Sequence, residues 1–137
     1  MPHLQPLWNA GPVIASHAIL AIVAFCVGVW QLAARKGGRS HRLRGWTWVA
    51  IMVAVALSSL LISEIGTFGY FSWIHLLAPF TFGTLAYALI AVRHGNVVGH
   101  GIAMSFLFAG ALVIAGAFTL LPYRVMNDVV TGRNLAD

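Results

Sequence analysis

The 137-residue chain is 60% hydrophobic and 8% charged, with a mean hydropathy of +0.87. A soluble globular domain carries roughly a quarter charged residues, so this composition excludes one and predicts an integral membrane protein. A net charge of +5 would favour a nucleic-acid partner in a soluble protein. Here the charge is concentrated in one loop beside an apolar segment, which indicates anionic lipid headgroups and no nucleic acid.

Four apolar segments of helical length follow one another along the chain. Each is predicted to be a helix, because lipid offers no hydrogen-bond partner to an open strand. The first, residues 12–34, would extend about 34 Å at 1.5 Å per residue, enough to cross roughly 30 Å of hydrocarbon. Its basic residues follow it, so it is expected to be a retained span and not a signal peptide. The other helices are predicted at about 40–64, 72–93 and 97–121, with an exterior tail at 122–137.

The basic residues predict the orientation of these helices. The two loops assigned to the cytoplasm hold six of the eight Lys and Arg residues, and positively charged loops remain on the cytoplasmic side. Both termini are therefore expected to face the exterior. The fold class predicted is an all-α, four-helix transmembrane bundle in which residues 1–137 form one domain. The six basic residues are Arg35, Lys36, Arg39, Arg42, Arg44 and Arg93.

The chain also has the pattern of two hairpin pseudo-repeats. His17 lies 18 residues before Arg35, and His75 lies 18 residues before Arg93. His41 follows His17 by 24 residues, and His100 follows His75 by 25. Two parallel repeats related by an axis along the membrane normal would produce this spacing.

The repeat places four histidines in two pairs of matched depth. His17 and His75 form an outer pair, and His41 and His100 form an inner pair, each from alternate helices that lie diagonally in a four-helix bundle. Neutral imidazole ligates haem iron and other transition metals, and bundle cores hold such sites. A single histidine at a helix end is more often an interfacial residue. His41, beside the basic loop, is shallow for a ligand.

A second polar group belongs to the outer end of the bundle. Glu64 is the sole acidic residue between residues 1 and 127, and it closes the second helix near the depth of His17 and His75. A lone acid near hydrocarbon needs a partner, so we expect an outer cluster of Glu64 with these histidines, which can carry protons. Arg124 is the alternative partner of Glu64. Ser58 is expected to bond to a carbonyl or a neighbouring helix.

Several short runs resemble a known family. They are HAILA from His17, WQL from Trp30, HRLRG from His41, IHLL from Ile74, His100 with Met104, and AGAFTLLP from Ala115 with Arg124. Over residues 12–126 the chain resembles the bacterial predicted membrane proteins called domain of unknown function 2306, which implies a multi-pass protein of the bacterial inner membrane. The layout is also similar to di-haem b-type cytochromes, by which His17 and His75 would hold an outer haem, and His41 and His100 an inner one.

Two functions are consistent with these features. The leading hypothesis is a membrane oxidoreductase that binds haem b or another transition metal and exchanges electrons with a quinol or a partner protein. The alternative is a non-redox small transporter, or a subunit of a membrane complex, whose histidines and Glu64 line a polar pocket. Small residues recur every four positions at Gly101, Ser105 and Ala109 and form a face suited to close helix contact. A homo-oligomer is consistent with such a face.

Overall fold

A computed structural model describes residues 11–65, 74–120 and 130–131, with the side chains of residues 63–65 and 74–75 outside that description. The described residues contain no strand. Their four long helices are all apolar enough to cross a membrane, which confirms the prediction of an all-α four-helix membrane bundle. These helices are α1 (Pro12–Ala33), α2 (Gly38–Ile65), α3 (Ile74–Arg93) and α4 (Val97–Thr119).

The helices pack in the order in which they occur in the chain. Helix α1 packs against α2, α2 against α3, and α3 against α4, while the middle of α4 returns to contact α1. This arrangement makes α1 and α3 one diagonal of the bundle and α2 and α4 the other. The end that carries the basic loop between α1 and α2 is called the inner end below.

Two turns at the inner end differ in how they are made. Gly37 and Gly38 have φ angles of +82° and +79°, a left-handed conformation that other residues adopt at a cost. Helix α2 consequently begins at Gly38, two residues before the predicted start. At the second turn, the side chain of Asn96 accepts a hydrogen bond from the Gly99 amide at 2.8 Å and caps α4.

A packed apolar core lies halfway along the bundle. Trp48 is 3% exposed, and its indole N–H donates to the Ala24 carbonyl of α1 at 2.9 Å. A buried indole N–H needs such an acceptor, and this bond fixes α2 against α1. The buried members of the core are Ala24, Trp48, Val49, Met52, Leu85, Leu107 and Leu112.

The fourth helix contains a feature that the sequence pattern does not predict. Its segment Phe108–Ile114 is π-helical, and the helix ends at Thr119, two residues before the predicted end. Phe108 stacks on Phe25 of α1 with ring centroids 5.5 Å apart. Its ring also lies against Gly28, where a Cβ would fall 2.6 Å from two ring carbons. The π segment therefore lies where α4 approaches α1 most closely.

Candidate functional site

His41, of the predicted inner pair, is held by Gln31 near the end of α1. The side-chain nitrogen of Gln31 donates to His41 Nδ1 and to the His41 carbonyl, both at 2.9 Å. Because His41 Nδ1 accepts this bond, the proton of the neutral ring is on Nε2. The Gln31 Oε1 atom is buried and has no hydrogen-bond partner among the described residues.

In His100, Nδ1 donates a hydrogen bond, whereas in His41 it accepts one. His100 lies in the first turns of α4, and its Nδ1–H donates to the Ala88 carbonyl of α3 at 2.9 Å. A carbonyl only accepts, so the Nε2 of the neutral His100 ring keeps a free lone pair. The two inner histidines thus lie at the same end of the bundle, on the diagonal helices α2 and α4.

His17, of the predicted outer pair, contacts α2. Its Nδ1 lies 2.8 Å from the Ser58 hydroxyl, and that hydroxyl donates its only proton to the Val55 carbonyl at 2.9 Å. Ser58 therefore accepts from the Nδ1–H of His17, which leaves Nε2 of the ring unprotonated. Ser58 bonds both to a carbonyl of its own helix and to a neighbouring helix.

Three other predicted site residues fall wholly or partly outside the description. The backbone of His75 belongs to α3 and that of Glu64 to α2, but neither side chain is among those described, and Arg124 lies outside the described residues. The cluster of Glu64 with the outer histidines therefore stays a prediction. Within the described part of the chain, no group of three or more His, Cys, Asp or Glu side chains is placed to hold a metal ion.

His17 and the inner histidines lie at two different levels of the bundle. His17 and Gln31 are on the same helix, 14 residues apart, which corresponds to about 21 Å along the helix axis. The packed core around Trp48 and Met52 lies between these levels. A single cofactor or solute therefore contacts one level at a time.

Four apolar helices in one bundle, with imidazoles held by polar groups towards the helix ends, define a multi-pass α-helical membrane protein. The chain belongs to the family of predicted membrane proteins designated domain of unknown function 2306 (DUF2306), whose family model matches residues 14–136. This match confirms the resemblance of the short sequence runs. Comparisons with curated proteins and with solved structures gave no significant match.

Proposed function

We propose that this membrane protein binds haem b, or another transition metal, through paired histidines and exchanges electrons with a quinol or a partner protein. The observation that supports this is the anchoring of His17, His41 and His100, each of which has Nδ1 held by a neighbouring group. Metal-binding histidines almost always donate a hydrogen bond through their second ring nitrogen, as His17 and His100 do here, and this bond fixes the orientation of the ring. Haem would supply a one-electron couple whose potential depends on those ligands.

The histidines fit this role unequally. His17 and His100 each donate through Nδ1 and keep a free Nε2, the tautomer that a metal ligand needs. His41 carries its proton on Nε2, because Gln31 donates to Nδ1. His41 becomes a ligand only when the Gln31 amide turns round, so that Oε1 accepts from Nδ1–H and the bond to the His41 carbonyl is lost.

The separation of the two levels supports transfer across the bilayer. The outer level belongs to α1 and α3, and the inner level to α2 and α4, about 21 Å apart by the helical rise. Each level is near one end of the helices, where a partner on that side of the membrane can approach it. The bacterial inner membrane, which contains quinols, is the proposed location.

A visible spectrum of the purified protein tests the proposal. Protein from haem-replete cells is expected to show a sharp absorption band on reduction. Substitution of His17 or His75 by alanine should remove one spectral component, and substitution of His41 or His100 should remove the other. The matched control is His94→Ala, because His94 is an exposed histidine of the inner turn without a partner in either pair.

Two results would contradict haem or metal binding. One is a colourless protein after haem supplementation, with no transition metal detected by elemental analysis. The other is a spectrum that changes as much in the His94→Ala control as in the four paired variants, since the absorbing species would then not depend on the pairs.

A polar pocket at the inner end is the second candidate function, as part of a small transporter or of a membrane complex. It is favoured by the unlike tautomers of His41 and His100 and by the unpartnered Oε1 of Gln31. Nε2–H of His41 is a donor, and Nε2 of His100 and Oε1 of Gln31 are acceptors, for water or a small polar solute. A colourless protein that loses solute uptake in His100→Ala and keeps it in His94→Ala would favour this function.

A further inference from the structure

The inner end of the bundle has a positive charge that no described residue balances. It carries six Lys and Arg residues, in the turn between α1 and α2, in the first turns of α2 and at the end of α3. No acidic side chain is among those described. The backbone of Glu64 lies at the far end of α2, 20 residues beyond Arg44. An anion is the natural partner of this end.

Arg44 differs from the other basic residues because its side chain is held in place. Its guanidinium carbon lies 4.9 Å from the centroid of the Trp30 ring, a cation–π contact. Its Nε donates to the Ser40 carbonyl at 3.2 Å. The two terminal nitrogens make no hydrogen bond to any described residue. A guanidinium fixed in this way presents a planar pair of donors, which matches the oxygens of a phosphate.

The tryptophans indicate the depth of this guanidinium. Trp30 is 61% exposed at the inner end of α1, and Trp46 is 53% exposed near the start of α2. Exposed tryptophans at helix ends lie at the headgroup level of the bilayer. Arg44 is therefore positioned where lipid phosphates occur and away from the bulk cytoplasm.

We propose that Arg44, oriented by Trp30, is the centre of a binding site for the phosphate of an anionic phospholipid. This goes beyond the general attraction of a basic loop to anionic headgroups, because one arginine contributes more than neighbours of equal charge. The site uses different groups from haem or solute binding, since it lies on the surface of the inner end and includes neither ring of the inner pair.

Lipid binding by variants of the full-length protein tests this site. Phosphatidylglycerol would be titrated into protein in micelles of a maltoside detergent, which has no phosphate, and its occupancy measured by native mass spectrometry. Arg44→Gln is expected to weaken binding about five- to tenfold, because it removes a charge that is held in position at the membrane surface. The matched control Arg42→Gln removes the same charge from an exposed residue and should weaken binding less than about twofold. Trp30→Leu keeps every charge and should weaken binding several-fold.

The outcomes separate a positioned site from diffuse charge. Equal weakening in Arg44→Gln and Arg42→Gln, or no effect of Trp30→Leu, would overturn the proposal. If Arg44→Gln fails to fold, Arg44→Lys keeps the charge but removes the planar fork, and weaker binding is still expected. Inorganic phosphate titrated into protein that already has phosphatidylglycerol bound is the remaining arm. Displacement of the lipid by inorganic phosphate at equal affinity would assign the site to a soluble anion and overturn the lipid assignment.

Discussion

Substitution of Gly28 by alanine is expected to destabilise the bundle, although alanine is the better helix former. A Cβ at this position would lie 2.6 Å from two carbons of the Phe108 ring and 2.9 Å from Nε1 of Trp48. Non-bonded heavy atoms attract best at about 3.5–4.0 Å, so these contacts are too close by about 0.6–1.4 Å. Neighbouring side chains must move to admit one methyl group.

The contact with Trp48 determines the size of the effect. Phe108 is only half-buried, so its ring can turn towards lipid. Trp48 is 3% exposed and bonded to the Ala24 carbonyl, and its movement breaks a bond of about 0.5–1.5 kcal/mol. Overpacking costs about 1–3 kcal/mol, against a gain of about 0.5–1 kcal/mol for replacing a helical glycine. The net loss of unfolding free energy is about 1–3 kcal/mol.

Equilibrium unfolding in mixed micelles, followed by helical circular dichroism, measures this loss. The matched control is Gly83→Ala in the middle of α3, where nothing lies within 4 Å of the added Cβ. That variant is expected to be stabilised by about 0.5–1 kcal/mol. A Gly28→Ala protein as stable as Gly83→Ala would refute the close packing of α1 on Trp48 and Phe108.

Three further outcomes are expected. Trp48→Phe removes the indole donor to α1 and should lower the unfolding free energy by about 1–2 kcal/mol in the same assay. Ser58→Ala removes the hydroxyl that accepts from the His17 ring and should cost about 1 kcal/mol. Ser59→Ala, whose hydroxyl bonds only within α2, should cost less than about 0.5 kcal/mol. A cysteine placed at Lys36 in a Cys26→Ser background should react with an impermeant maleimide only in inverted vesicles; labelling in right-side-out cells would contradict the predicted orientation.

The fold could be predicted from the sequence because lipid restricts the alternatives. Apolar segments longer than about 20 residues must be helices in a bilayer, and the observed ends of the helices are within two residues of those predicted wherever they are described. The π segment of α4 could not be predicted. It changes the direction of side chains such as Phe108 without altering the apolar composition, so it depends on how α4 packs against α1.

The histidines of the candidate site could be named from the sequence, but their bonding partners could not. Gln31 bonds to His41 across a helix boundary, and Ser58 lies 41 residues from His17. Such partners depend on the rotation of each helix about its own axis. A helix that is apolar on every side gives no sign of that rotation in its hydrophobic pattern. Gln31 carried no signal beyond its place in a short run shared with the family.

The orientation of the Gln31 amide links the two proposed functions. As it stands, its nitrogen makes two hydrogen bonds to His41, and Oε1 has no partner among the described residues. If the amide is reversed, Oε1 accepts from Nδ1–H of His41, and Nε2 of His41 no longer carries the proton. The hydrogen bond to the carbonyl of His41 is then lost, so the reversed orientation is higher in free energy by about 1–3 kcal/mol. A ligand that prefers one orientation by more than this determines which is populated. A metal at the inner level therefore requires the reversed amide, whereas a polar solute that donates to Oε1 stabilises the present one.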